Sequence, residues 1–565
     1  MVNVRKKNPA GTVLTVMLLA ALLTICLELG LSYLRPDTPG SIPKHLIHFA
    51  VMFTLLGGAV LLCLFCPPFK KLWAWIDEHI LSKETRPIAI DIIYAVIAGL
   101  MLLHHFYVLL HYPVIPTGAT RLAPFWIVFA AITVLLGKSW QNGSFWLAAV
   151  FFIFSFERLY IEKLIVTGET AVYFSSAIYS FFICLSAFSI LRPSVWKPFL
   201  QILCSLWAVA ILALSIVGLY VSWTGGQIAN LVGTTNYMFK GRLSLFAIPT
   251  ITSSILGSGI IMMLVGFSVS THKPIRLFYL LSCFVALVTN SLTDSRSSFL
   301  MIALMLTGVM SLGLWTIYRN QKGNNFSGKK TMLVVILLVV FFCGCFYGTI
   351  EGQRYLGPQF VEIRNNGYII PSAKAEESIT EKTTESTATP EPPKFSQRNV
   401  WISDSTDINY ILSDRFSAWQ KGFKYIRDNP DTLLYGLSID GSVAPIVGRE
   451  DHSHNILLQI LLEGGIPTLL LYLSLMFYGV YHAFRLWNRR GIPFWQRVLP
   501  LPVFSILLLE MAECLTHFSF GLPPMTLFWF FLGATITVSK SLGKAPKTTE
   551  QPAIPAESAV TETGE

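Results

Sequence analysis

Charge is what this chain has least of. Asp, Glu, Lys and Arg make up 13% of its 565 residues, about half the share usual in a soluble domain. Hydrophobic residues make up 53%, and the mean hydropathy is +0.58. Cysteine is missing from the polar segments. All nine (26, 63, 66, 184, 204, 283, 343, 345 and 514) fall within or at the edge of apolar runs, which argues against a disulfide framework outside them. Cys63-Leu-Phe-Cys66 has redox spacing, but it ends an apolar run before Pro67-Pro68 and reads as packing. Also absent are a metal-ligand constellation, a phosphate-cradling glycine loop, a nucleophile elbow and an internal repeat. No basic patch interleaved with aromatics lies in a soluble segment, so nothing points to nucleic acid.

What the chain has instead is a succession of runs of about 20 apolar residues, each long enough to cross a hydrocarbon core. The fold class expected is an all-α polytopic membrane protein of about fourteen spans (12–14). They are placed at roughly 11–34, 46–66, 88–110, 122–137, 144–160, 171–191, 199–223, 245–269, 275–292, 297–318, 331–350, 455–484, 497–518 and 522–539. The stretch around 120–165 is the hardest to divide. Arg5-Lys6-Lys7 before the first run could mimic a signal peptide. That run is too long for an h-region and no small-residue cleavage site follows, so it reads as an uncleaved helix. With the N-terminus inside, 23 of the 42 Lys and Arg lie on inner segments, 8 on short outer segments and 11 in one long outer loop. That bias is the positive-inside pattern, and it makes most of the net charge of +10 topogenic. The chain then divides into N-terminal membrane helices (1–198), core helices carrying Arg242 and Arg296 (199–350), a large outer loop (351–454), C-terminal membrane helices (455–540) and a polar cytoplasmic tail expected to be disordered (541–565).

The outer loop has two characters. Residues 371–394 are rich in Glu, Thr, Ser and Pro and lack aromatics. They cannot bury enough surface to order themselves and read as a disordered insertion. From Ser413 to Asn429 the pattern changes. Ser413 suits an N-cap and Asn429-Pro430 a stop, while Phe416, Trp419, Phe423 and Ile426 recur at helical spacing. This predicts an amphipathic helix on or near the outer membrane boundary, or one packed within a small folded loop.

Polar residues gather around the outer mouth. Arg242 precedes the eighth span. Arg296 sits in a tight turn between the ninth and tenth. Arg415 opens the loop helix, and Asp451-His452-Ser453-His454-Asn455 leads into the twelfth span. An Arg in so tight a turn is expensive unless it faces a cavity or an anion. Guanidinium suits phosphate because its planar donors form paired, charge-assisted bonds. Imidazole titrates near neutrality and can take a proton from an attacking hydroxyl. Each Arg alone could snorkel at the interface, and the two His could simply cap a helix. Together they suggest a site for a lipid-linked phosphate.

The same residues carry a resemblance. Gly241-Arg242-Leu243-Ser244, Ser295-Arg296-Ser297, Asp414-Arg415-Phe416 with Trp419 and Asn429-Pro430, and His452-Ser453-His454-Asn455 through Gly465-Ile466 resemble the successive signatures of the O-antigen ligase and O-antigen polymerase family. The resemblance covers about residues 200–535. It implies a fold like the class C glycosyltransferases and transfer of a glycan from undecaprenyl pyrophosphate to a sugar hydroxyl. The acceptor implied is lipid A-core for a ligase, or another lipid-linked repeat for a polymerase. The chain departs from the family in having about two extra spans and the Glu/Thr/Pro insertion.

The implied chemistry suits the residues. The donor already holds a good leaving group, so neither a metal nor another cofactor is required. Arg242, Arg296 and Arg415 would bind the pyrophosphate and offset its developing charge. His454 would be the catalytic base, with His452 a second candidate or an orienting neighbour. Direct backside attack would invert the anomeric centre. The partners expected are the polyprenyl-linked donor, a glycan acceptor and membrane lipids. The protein is expected in the cytoplasmic (inner) membrane with its site facing the periplasm or exterior and both termini cytoplasmic. A flippase for the same lipid-linked glycan is the rival, resting on charges such as Glu28, Asp91, Glu157, Arg158, Glu510 and Glu513.

Overall fold

The computed structural model describes residues 66–110, 132–162, 185–224, 242–245, 249–293, 295–320, 415–437, 443–447, 453–489, 491–513 and 523–543, with a few short pieces between them. The spans expected at 11–34, 46–66 and 331–350, the segment 371–394 and the tail after 543 lie outside or almost wholly outside these residues. The helices are α1 (Pro67–Ile76), α2 (Ile88–Leu110), α3 (Gly143–Glu162), α4 (Ala187–Ile190) and α5 (Pro193–Thr224). Four two-residue strands follow: β1 (Gln227–Ile228) pairs antiparallel with β2 (Thr235–Asn236), and β3 (Met238–Phe239) with β4 (Arg242–Leu243). These two small ladders are the one departure from an all-helical architecture among the described residues. Next come α6 (Pro249–Val269), α7 (Lys273–Ser291), α8 (Arg296–Asn320), α9 (Arg415–Asp428), α10 (Thr432–Tyr435) and α11 (Val443–Val447). The chain closes with α12 (Ile456–Asn488), α13 (Phe494–Val498), α14 (Leu501–Glu513) and α15 (Pro523–Gly543).

Among the described residues, seven helical segments are long and apolar enough to cross a membrane: 193–222, 249–269, 273–291, 297–316, 456–488, 494–511 and 524–542. The protein is an integral membrane protein, mainly helical. Large apolar side chains remain exposed along α5 and α7, among them Ile202, Val209, Ile216, Leu281 and Phe284, as expected of faces turned to lipid. α6 is the opposite case, buried along almost its whole length. Its small residues permit that. A Cβ at Gly259 would stand 2.3 Å from the Ile211 side chain of α5, and one at Gly257 would stand 2.4 Å from Met301 of α8. Small residues at helix contacts let backbones approach where lipid gives no hydrophobic drive.

Buried charge fixes the other packing. Arg86 and Asp91 are both sequestered and form a salt bridge. The Asp91 carboxylate also accepts from the Arg192 backbone amide at 3.1 Å and faces its guanidinium Nε at 3.5 Å. Arg86 donates to the Ile190 and Leu136 carbonyls, which sit at helix ends where no intrahelical donor remains. Burial pulls the Arg86 guanidinium below its ordinary pKa, and Asp91 opposes that shift. Asp91 thus joins the starts of α2 and α5 rather than standing in a translocation path.

A second staple defines one end of the bundle. Arg497, 1% exposed, donates to Thr316 Oγ1 at 2.9 Å and to the Arg489 carbonyl at 3.0 Å. Its own carbonyl accepts from Trp487 Nε1 at 2.9 Å. The C-terminal ends of α8 and α12 therefore meet at α13, and their N-terminal ends lie at the opposite end. At that opposite end Ser298 Oγ of α8 donates to the Ser253 carbonyl of α6 at 2.9 Å, and Ser253 Oγ donates to Asn290 Oδ1 of α7 at 2.8 Å.

Candidate functional site

The structure brings Arg415, His454 and the backbone of Arg242 and Arg296 to this second end. β4 holds Arg242, and its neighbour Leu243 donates its amide to the Leu292 carbonyl at 2.9 Å. Leu292 belongs to the turn between α7 and α8, where Thr293 closes back on Asn290 through its amide at 3.1 Å and its hydroxyl at 2.7 Å. Arg296 begins α8 directly after that turn, flanked by buried Ser295, Ser297 and Ser298. Backbone bonding thus draws the Arg242 strand and the Arg296 turn together. The side chains of Arg242 and Arg296 lie outside the described residues.

The histidine segment is built from α12. Asn455 caps that helix, its Oδ1 accepting from the amides of Leu457 at 3.0 Å and Leu458 at 3.2 Å. Such a cap replaces partners that the first helical turn lacks. The residue just before the cap, His454, adopts φ +54. A side chain on left-handed backbone is uncommon, and such conformations concentrate at functional sites. His454 is half-buried. His452, expected beside it, is outside the described residues.

Ser453 anchors the histidine from behind. It is fully buried. Its amide donates to Gln459 Oε1 at 2.8 Å and its hydroxyl to the Asn455 carbonyl at 3.0 Å. Its carbonyl accepts from Trp419 Nε1 of α9 at 3.0 Å. Trp419 lies one turn beyond half-buried Arg415, so this bond sets the start of the loop helix beside the histidine segment. Gln459 continues inward, donating through Nε2 to Glu463 Oε1 at 2.7 Å.

The loop helix departs from its expected apolar face. Ala418, Gly422 and Ile426 are buried, while Phe423 is 58% exposed. The reason is contact with α12. The position of a Cβ on Gly422 lies 3.2 Å from Leu458 and 3.3 Å from Leu462, so a track of small residues seats the helix there. α9 is a packed loop helix, and only Phe423 of the predicted stripe points away. α12 departs too, since the uniform run breaks at Gly465, at φ +68. The segment 433–437 fits against the break. The Leu437 amide donates to the Leu462 carbonyl at 2.7 Å, and a Cβ on Gly465 would stand 2.7 Å from the Leu433 carbonyl oxygen. Pro467, just past the break, has no amide to offer the preceding turn.

Residues 278–473 match the protein family described as O-antigen ligase. Over this region the chain is similar to the O-antigen ligase family. The matched stretch begins in α7, takes in Arg296, Arg415, His454 and the Gly465 break, and ends within the inner part of α12. Arg242 lies ahead of it. Comparison with curated proteins and with solved structures finds no match. The match supports, in general, a glycosyltransferase-type enzyme acting on lipid-linked glycans.

Ser453 and Trp419 stand within the signatures quoted from the sequence, and Glu463 within the same His-to-Gly465 stretch, but the sequence assigns no site role to them or to Gln459. One signal was available: Gln459 and Glu463 stand four apart in an otherwise apolar run, hence on one helical face. Among the described residues no group of three His, Cys, Asp or Glu side chains is arranged to hold a metal ion. Of the charges behind the transport reading, Asp91 is tied to arginines, and Glu510 is fully buried in α14. Glu28 lies outside the described residues, as do the side chains of Glu157, Arg158 and Glu513.

Proposed function

We propose that the protein transfers a glycan from undecaprenyl pyrophosphate to a sugar hydroxyl of lipid A-core, as an O-antigen ligase acting at the outer face of the cytoplasmic membrane. The observation that carries this reading is the gathering of Arg296, Arg415 and His454, all within the family-matched region, at one end of the bundle. In this mechanism Arg242, Arg296 and Arg415 hold the pyrophosphate with paired donors. They offset the charge that grows on it as the glycosidic bond breaks. His454 accepts the proton of the attacking hydroxyl. The new bond forms at the anomeric carbon on the face opposite the departing pyrophosphate, so the centre inverts. His452 orients its neighbour. The charge on the leaving group is met by guanidinium, and no metal is required.

The reading includes a class C-like fold of fourteen spans with both termini cytoplasmic. Deleting the gene in its host and resolving the surface glycan on a gel tests it. Loss of every long chain from the core is the expected result. A core bearing a single repeat would reassign the enzyme as a polymerase, and an unchanged ladder would overturn glycosyl transfer altogether.

A further inference from the structure

Three polar groups behind the histidine form one line through an otherwise apolar helix face. Glu463 Oε1 accepts from Gln459 Nε2 at 2.7 Å, and Gln459 Oε1 accepts from the Ser453 amide at 2.8 Å. Both side chains are deeply buried, Gln459 at 2% and Glu463 at 8% exposure. A buried carboxylate inside a membrane helix is costly to keep without a task. Its hydrogen bond orients the Gln459 amide, so the amide oxygen and not its nitrogen faces the Ser453 N–H. With the other orientation two donors would meet, and a buried amide would lose its partner.

The other backbone polar group of the same residue is also held. The Ser453 carbonyl accepts from Trp419, and Asn455 on the other flank of His454 is tied down as the helix cap. His454 sits between these two anchors with its backbone at φ +54, a conformation that needs its surroundings to maintain it. The relay begins at Glu463, two residues before the Gly465 break, where the loop segment bonds to α12 through Leu437. The carboxylate therefore stands at the junction between the rigid inner part of α12 and the short outer part that ends in the histidine.

We propose that Glu463 is a positioning residue for His454, acting through Gln459 and the Ser453 peptide to fix where the imidazole stands. This rests on the assignment of His454 as the base. The carboxylate takes no proton from substrate and touches none of the reacting groups. Its contribution is to hold the histidine on left-handed backbone, where a shift of about 1 Å in a catalytic group is enough to cost about a hundredfold in rate.

The test uses the full-length protein in nanodiscs with a polyprenyl-linked donor, measuring turnover and donor binding separately. Glu463→Ala should lower turnover at least tenfold with donor binding changed less than threefold. Glu463→Gln can also present the wrong end of its amide to Gln459 and should fall between. The exchange Gln459→Glu with Glu463→Gln restores the line with its polarity kept: a carboxylate at 459 accepts from Ser453, and an amide at 463 donates to it. That double variant should recover turnover to within about threefold of wild type, and it serves as the folded control if Glu463→Ala is not stable. Adding Glu463→Ala to His454→Ala should cost nothing further, because the residue acts only through the imidazole. A Glu463→Ala protein that binds donor and turns over normally, while His454→Ala is inactive, would overturn the relay and leave the base assignment standing. A fully active His454→Ala would instead overturn the base assignment, and the relay with it. Independent losses in the double variant would make Glu463 a purely structural group.

Discussion

A histidine fixed at φ +54 between a buried serine and a helix cap gives the clearest single-residue prediction. As the base it contributes on the order of 10²–10⁴-fold in rate. His454→Ala should lower turnover by that factor and leave donor binding nearly intact, because the arginines still hold the pyrophosphate. His452→Ala should cost less. Turnover and donor binding measured separately in nanodiscs decide it: an inactive His452→Ala beside an active His454→Ala would exchange the two roles. Arg296 makes a different demand. If it meets pyrophosphate with paired donors, Arg296→Lys keeps the charge, loses the fork geometry, and should lose most activity. Arg242→Lys and Arg415→Lys should follow more mildly. Wild-type activity in Arg296→Lys at equal expression would make that arginine a topological anchor.

At the scale of elements, the break in α12 is the feature that makes the site possible. It ends the outer helical segment after nine residues and creates room for residues 433–437 to bond into the gap. Gly465→Ala would force a Cβ onto left-handed backbone and against the Leu433 and Leu434 carbonyls. The strain alone is of order 1–3 kcal/mol. Gly465→Ala should therefore lower the thermal midpoint of the purified protein by several degrees, while Gly313→Ala in α8, with open space around it, should be neutral or slightly stabilising. Equal midpoints would mean the break is incidental. This element also marks where reading the sequence reached its limit. An apolar run that begins just after Arg86-Pro87 gives α2 its observed start, because hydrophobic patterning is a local property. The break at Gly465 depends on Leu437 and Gly436, which are distant in sequence and come close only through the loop fold. The part that Ala418 and Gly422 take in the packed face of α9 was not legible for the same reason. Its partner is Leu458 and Leu462, which these small residues and Ile426 pack against, while Phe423 of the predicted stripe stays exposed. The arginines and the histidine were legible because charge in an apolar chain is conspicuous. The Ser453–Gln459–Glu463 line was not, because its first bond joins a backbone amide to a side chain across a turn of unpredictable shape.

For the whole molecule, two arginine staples set the geometry on which the site depends. Arg497 ties the C-terminal ends of α8 and α12 together, and Arg86 with Asp91 ties α2 to α5. A helix pair joined at one end has its other end defined, so Arg296 and His454 share a side of the membrane whichever side that is. The charge bias decides which. Arg485, Arg489, Arg490 and Arg497 cluster where α12 ends, and such clusters stay cytoplasmic. In the proposed orientation the mouth carrying His454 opens to the outside, where a polyprenyl-linked glycan would be presented after its translocation. This predicts the outcome of a labelling experiment on a cysteine-free background. A cysteine replacing Ser386 should react with an impermeant thiol reagent added to intact spheroplasts, and one replacing Asn488 should react only after lysis. Asn488 ends α12, about 50 Å of helix from its histidine end at 1.5 Å per residue. The reverse pattern would put His454 in the cytoplasm, and transfer to an outer-face acceptor would fail with it.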